Sequence, residues 1–272
     1  MKFWNVAKIT ASKGVTRLPC VTAYDFAFAR LADAAGIPLL LVGDSLGMAV
    51  LGHASTLPVT MEDMLHHTAA VVRGTTSALV VADMPFLSYQ VSIPEALRNA
   101  GRFLQEAGAD AVKIEGGACR AELVKTLVQN GIPVLGHIGL TPQSCNVIGG
   151  YKVQGKTRAE ADRLIADSEA LAAAGAFGIV LECVPPDIAA AVTASVPIPT
   201  IGIGAGPACD GQVLVMHDML GLTAGKSPKF VKAYADLAET VRRAFTAYAE
   251  EVREGVYPAP EHTYAPAGKG QT

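Results

Sequence analysis

The sequence has no marked excess of either charge, no cysteine spacing that signals a staple, and no long apolar run. Lysine and arginine number 22 against 25 aspartate and glutamate, a formal net charge of −3, so no basic surface for nucleic acid is expected. No uninterrupted apolar stretch reaches the ~20 residues that a membrane span requires. The first twenty residues, MKFWNVAKITASKGVTRLPC, hold no continuous apolar core of a secretory signal. The five cysteines (Cys20, Cys119, Cys145, Cys183, Cys209) are scattered, odd in number and without C-x-x-C spacing. That argues against a disulfide framework or a structural zinc site, and for small buried side chains in a reducing, cytoplasmic compartment. What the chain does have is apolar surface. Half of its 272 residues are hydrophobic and the mean hydropathy is +0.32, which excludes disorder over most of the length.

One pattern recurs from end to end: a helix-like stretch closes on glycine, and a short aliphatic run follows. Ala35-Gly36-Ile37-Pro38 leads into Leu39-Leu40-Leu41-Val42, Ala107-Gly108-Ala109-Asp110 into Ala111-Val112-Lys113-Ile114, and Ala174-Gly175-Ala176-Phe177 into Ile179-Val180-Leu181. The runs barely alternate, as parallel strands buried on both faces do. Strands are expected near residues 18–22, 39–43, 79–83, 111–115, 134–138, 178–182 and 200–203, with a weaker eighth at 213–216. Helix starts are marked by Thr60-Met61-Glu62-Asp63 and by Ser92-Ile93-Pro94-Glu95, and a long amphipathic helix is expected over 229–254. Eight alternating units in about 250 residues predict an α/β fold of the (β/α)8 TIM-barrel type. A Rossmann layout lacks its fingerprint, because Gly202-x-Gly204-x-Gly206 runs into Pro207. The barrel is expected to span 1–257 as one domain, followed by a flexible tail over 258–272. Residues 139–157 form a long polar connection after the fifth strand, the kind of segment that serves as a binding loop or lid.

Charged residues stand where the strands end. LLLVG ends on Asp44, LVVA on Asp83, AVKI on Glu115, IVL on Glu182, and VLG on His137. In a β/α barrel these ends converge on one face, which carries the active site. Carboxylates adjoining apolar strands are costly unless paired or bound to a metal, and several at one mouth repel each other. A cation resolves that conflict, and an all-oxygen set suits a hard ion such as Mg2+. Lys113 and Glu115 are two apart on one strand and face the same side, so the lysine can neutralise charge or hold an anionic substrate. His137 taken alone is open between a structural and a functional role. Gly202–Gly206 is open between a close ligand approach and a tight turn. His66 and His67 are expected to be packed or solvated residues of the helix that begins near Thr60.

The chain resembles ketopantoate hydroxymethyltransferases. The match rests on Thr22-Ala23-Tyr24-Asp25, Val42-Gly43-Asp44-Ser45-Leu46-Gly47-Met48, Ser55-Thr56-Leu57-Pro58-Val59-Thr60 and Val112-Lys113-Ile114-Glu115-Gly116-Gly117. It continues through Gly139-Leu140-Thr141-Pro142-Gln143-Ser144, Gly149-Gly150-Tyr151-Lys152, Leu181-Glu182-Cys183-Val184-Pro185 and Val215-Met216-His217-Asp218. The resemblance runs from about residue 22 to 257. It implies a barrel like those of the phosphoenolpyruvate/pyruvate enzymes and a homodecameric assembly in the cytoplasm. The implied reaction is transfer of a hydroxymethyl group from 5,10-methylenetetrahydrofolate to 3-methyl-2-oxobutanoate in pantothenate synthesis. By resemblance Asp44, Asp83 and Glu115 form a magnesium site, and Asp44, Ser45, Asp83 and Lys113 contact the 2-oxo acid. Glu182 is then the general base and His137 a further substrate-facing residue. The residues taken alone also allow a metal-dependent 2-oxo-acid lyase or aldolase of the same barrel type, or a metal-stabilised scaffold.

Overall fold

The computed structural model describes residues 2–223, 225 and 227–264; the expected tail lies outside the described residues from 265 onward. A short helix α1 (Val6–Ala11), capped by the Asn5 side chain, precedes β1 (Leu18–Thr22). The chain then runs through α2 (Phe26–Ala34), β2 (Leu39–Val42), α3 (Leu46–Ala49), α4 (Met61–Arg73), β3 (Leu79–Asp83), α5 (Ile93–Gln105), β4 (Ala111–Glu115), α6 (Ala121–Gln129) and β5 (Val134–Gly139). It continues with α7 (Cys145–Ile148), α8 (Arg158–Ala173), β6 (Gly178–Glu182), α9 (Pro186–Ser195), β7 (Thr200–Ile203), β8 (Gly211–Leu214), α10 (Met216–Met219) and α11 (Leu237–Glu254). All eight strands pair in parallel, β1 with β8, and close a barrel in chain order. The expected (β/α)8 architecture is the observed one.

The start signals work as local chemistry. Thr60 and Asp63 form a reciprocal capping box on α4, and Ser92 caps α5 with Pro94 in its first turn. Inside the barrel, Leu18, Cys20, Leu39, Leu41, Leu79, Val81, Leu135, Val180 and Ile201 form one buried cluster, which Ile9 of α1 joins. The first helix, which no sequence signal singled out, thereby adds an apolar residue to the barrel interior.

Two expectations differ from the structure, and a third gains detail. Strand β8 lies at Gly211–Leu214 rather than 213–216, because Leu18 of β1 pairs opposite Gly211 and Met216 already begins α10. Helix α11 begins at Leu237, not near 229. Before it, Tyr234 N and Leu237 N donate to Met219 O and Leu220 O, so this backbone is committed to a turn, and Asp236 caps the helix. The 139–157 connection is not featureless: it holds a 3-10 turn at Pro142–Ser144 and the short α7.

Residues up to Met216 together with Pro228–Val231 form one compact unit that contains the barrel. A second unit comprises His217–Ser227 and the described chain from Lys232, with α11 as its main element. No helix among the described residues is long and apolar enough to cross a membrane.

Candidate active site at the barrel mouth

Register decides which side chains meet. Asp83 pairs opposite Lys113, Glu115 opposite His137, and Gly139 opposite Glu182. Alternation turns Lys113 and Glu115 the same way, and Asp44 follows β2 directly after Gly43. Asp44, Asp83, Lys113, Glu115 and His137 are all buried, with 2–5% of each surface exposed. Ser45 lies beside them, its Oγ 2.8 Å from the Tyr24 hydroxyl. The strand-end residues singled out from the sequence thus converge in one mouth.

The contacts are dense and leave oxygens over. Lys113 Nζ is 3.1 Å from Asp83 Oδ1, an ion pair off the hydrogen-bonding direction, so that oxygen keeps no hydrogen-bond partner. Asp83 Oδ2 accepts the backbone N–H of Asp44 at 3.0 Å. Glu115 Oε2 accepts the Gln143 backbone N–H at 3.0 Å, whereas Glu115 Oε1 has no hydrogen-bond partner. Lys113 Nζ also lies 3.1 Å from His137 Nδ1. An ammonium only donates, so Nδ1 is the acceptor and the imidazole proton sits on Nε2. That Nε2 is 3.1 Å from Glu182 Oε2.

Electrostatics follow from burial. Burial first, then the charge of Asp83, pushes the Asp44 carboxyl up to about 7. Burial raises Glu115 well above the ordinary carboxylate range and lifts Glu182 to about 7. Burial and then the Lys113 charge hold His137 well below its usual value, so it is neutral. Burial alone would lower Lys113, but the carboxylates of Asp83, Glu115 and Asp44 outweigh it and keep the ammonium charged. One ammonium among four carboxylates leaves the mouth short of positive charge.

Among the described residues no group of three or more His, Cys, Asp or Glu side chains is gathered tightly enough to hold a metal by themselves. The donor chemistry nevertheless fits a hard ion. The oxygens without a hydrogen-bond partner belong to Asp83, where Oδ1 is ion-paired with Lys113, and to Glu115. Mg2+ is usually held by one or two carboxylates, with water and substrate oxygens completing its shell.

The surrounding backbone is shaped for close approach. Gly139 has φ +91°, and a Cβ there would stand 2.3 Å from Glu182 O. Cys183, the residue after Glu182, holds φ +50°, rare for a residue with a side chain. The connection after β5 is tied to this strand end, with Leu140 N donating to Glu182 O and Gln154 N to Cys183 O. Gly204 and Gly206 are also at positive φ, and a Cβ at either would press on Phe230 or Pro186; this geometry is that of a tight turn. His67 is packed, its Nδ1 2.6 Å from Tyr24 O.

Sequence reasoning gave no role to Gln143 and Tyr89. Gln143 is buried and contacts Asp44, and the Tyr89 hydroxyl accepts the Glu115 backbone N–H. Both lie between regular elements, where no periodicity marks an inward side chain.

A family model described as ketopantoate hydroxymethyltransferase matches residues 4–260. The chain is 58% identical over 248 residues to the 3-methyl-2-oxobutanoate hydroxymethyltransferase of Moorella thermoacetica, covering 91% of this chain and 92% of that protein. It is 60% identical over 251 residues to the protein of that name from Carboxydothermus hydrogenoformans, covering 92% of this chain and 91% of the relative. A solved structure of 2,3-dimethylmalate lyase, a member of the PEP mutase/isocitrate lyase superfamily, matches with a TM-score of 0.61 at 17% identity. That match covers 95% of this chain and 91% of the lyase, and at such identity it bears on the fold alone.

Proposed function

Because the chain belongs to the ketopantoate hydroxymethyltransferase family, we propose that its barrel mouth activates C3 of 3-methyl-2-oxobutanoate for hydroxymethyl transfer. Family membership makes the protein an enzyme of the transferase class that forms ketopantoate, 2-dehydropantoate. The one-carbon donor in this reading is 5,10-methylenetetrahydrofolate, the setting is pantothenate synthesis in the cytoplasm, and the assembly is a homodecamer.

The observation that carries the chemistry is Glu182, a half-buried strand-end carboxylate raised to about 7 by desolvation. A general base works best with a pKa near the working pH. In this reading Glu182 takes the C3 proton. The neutral His137 faces it with its Nε2 at 3.1 Å, without the geometry of a hydrogen bond, and in this reading turns that N–H to the substrate. Lys113 stays charged in the buried site, so its ammonium donates a charge-assisted hydrogen bond to the oxygen on which negative charge grows. Ser45, held by the Tyr24 hydroxyl, and the Asp44 and Asp83 side chains orient the 2-oxo acid. Water adds to the folate methylene carbon and both C–N bonds break, so that tetrahydrofolate leaves with the water's protons on nitrogen and the carbon is released at the formaldehyde level. C3 then bonds to that carbon, and its oxygen takes back the proton held by Glu182 to become the product hydroxyl.

Asp44, Asp83 and Glu115 are the residues that would hold Mg2+, supported by the Glu115 Oε1 that has no hydrogen-bond partner and by the shortage of positive charge. When bound, the ion supplies Lewis-acid stabilisation of the negative charge developing on the substrate.

The test is product formation. With 3-methyl-2-oxobutanoate, 5,10-methylenetetrahydrofolate and Mg2+, the full chain yields 2-dehydropantoate, stops on chelation and recovers on Mg2+ addition. Full activity in chelated, metal-free buffer would remove the metal part of the reading. Absence of product with all components present would remove the reaction.

A further inference from the structure

We propose that Gln143 is a positioning residue that sets the carboxylates of Asp44 and Glu115 for the cation, which makes the segment after β5 a working part of the metal site. The inference rests on the reading that these carboxylates hold Mg2+.

The carboxamide of Gln143 is saturated and its orientation is fixed. Nε2 donates to the Met84 carbonyl at 2.9 Å and to Asp44 Oδ2 at 2.9 Å. Oε1 accepts from the Tyr89 hydroxyl at 2.7 Å and from Gln90 Nε2 at 3.0 Å. A carbonyl can only accept, so Met84 O requires the NH2 group on that side, and the amide has one arrangement that satisfies all four partners. The backbone N–H of the same residue donates to Glu115 Oε2 at 3.0 Å.

One residue therefore engages one oxygen on each of two carboxylates that arrive from different strands. On Glu115 this leaves Oε1 without a partner. On Asp44 the carboxamide engages Oδ2. Gln143 itself is 5% exposed and sits in the 3-10 turn Pro142–Ser144. It has no apolar role that would explain a buried glutamine there. Buried amides are retained where every hydrogen-bonding group is used, and of this one's partners Asp44 is itself a carboxylate and the Tyr89 hydroxyl accepts the Glu115 backbone N–H.

The experiment titrates MgCl2 into chelator-stripped full-length protein by calorimetry, for wild type and Gln143→Met, and follows thermal unfolding of the same samples. Methionine keeps the length and removes the carboxamide donors to Asp44 and Met84, while the backbone N–H to Glu115 remains. Loss of an orienting partner of a metal ligand typically weakens metal affinity about 10–100-fold, and that is the expected shift. The Mg2+ concentration giving half-maximal deuterium exchange at C3 of 3-methyl-2-oxobutanoate should rise by the same factor, so added Mg2+ relieves the defect. Wild-type Mg2+ affinity in Gln143→Met overturns the inference while leaving the metal reading intact. So does a defect that added Mg2+ does not relieve, which would mark a merely structural role. If the wild type itself binds no Mg2+, the metal reading fails and the inference falls with it. Should Gln143→Met not fold, Gln143→Asn decides by the same titration. It keeps the amide but withdraws it by one methylene, and unchanged affinity there overturns the proposal.

Discussion

The two ends of the barrel interior are equally buried and chemically opposite. Along β3 the inward side chains run Leu79, Val81, Asp83; along β4 they run Ala111, Lys113, Glu115; β6 contributes Val180 and then Glu182. Leu79 is 1% exposed and Asp83 3%, so solvent access does not separate them. The lower layers are hydrocarbon that gains by leaving water, about 25 cal/mol per Å2 of apolar surface. The upper layer holds groups that lose by it, and the raised carboxyl pKa values of Glu115 and Glu182 record that loss. A single strand thus carries both stability and chemistry, four residues or about 13 Å apart. The lower end holds the barrel together, and the proposed chemistry is what would offset the cost of the upper end.

The largest effect that would sharpen this contrast is expected at the top. Glu182→Gln keeps shape but cannot accept a proton. It should retain Mg2+ and 2-oxo-acid binding while hydroxymethyl transfer falls about 10²–10⁴-fold; steady-state kinetics beside calorimetry checks this. At the bottom the reverse is expected. Leu79→Ala should cost about 2–5 kcal/mol of stability in denaturant unfolding, with kcat of the folded fraction close to wild type. A large loss of kcat in folded Leu79→Ala would break the division between the two ends.

A smaller effect links the ends through pH. The folded Glu182 carboxyl stands at about 7 against an ordinary 4.5, so between those values the native state binds more protons than the unfolded chain. Stability must then fall as pH rises from about 4.5 to about 7. Removing the charge should reverse this. In metal-free buffer Glu182→Gln should melt above wild type at pH 8, and the gap should shrink toward pH 5. Equal melting temperatures at pH 8 would mean that the half-buried base carries no stability penalty.

How much of this was legible in the sequence follows from the same geometry. Strands buried on both faces show no alternation, so Leu79 and Val80 read alike although only Leu79 joins the cluster inside the barrel. The ends were legible because Asp83, Glu115 and Glu182 interrupt aliphatic runs at equivalent points of repeated units. Gln143 and Tyr89 were not, since their side chains reach the mouth from irregular backbone whose path is set by tertiary contacts such as Leu140 N to Glu182 O. Strand β8 was misplaced by two residues because its position depends on pairing with Leu18 of β1, a contact nearly 200 residues distant in sequence. The residues that supply charge were visible, and those that aim it were not.

In the proposed reaction the mouth removes a proton from C3 through Glu182. The most direct measurement is deuterium exchange at C3 of 3-methyl-2-oxobutanoate in heavy water with Mg2+ and no folate, followed by proton NMR across pH. The account predicts that wild type exchanges, that the rate rises with pH through about 7 as Glu182 ionises, and that Glu182→Gln loses exchange about 10²–10⁴-fold at every pH. Exchange by Glu182→Gln at the wild-type rate, with the same rise through pH 7, would show that another group is the base and contradict the account.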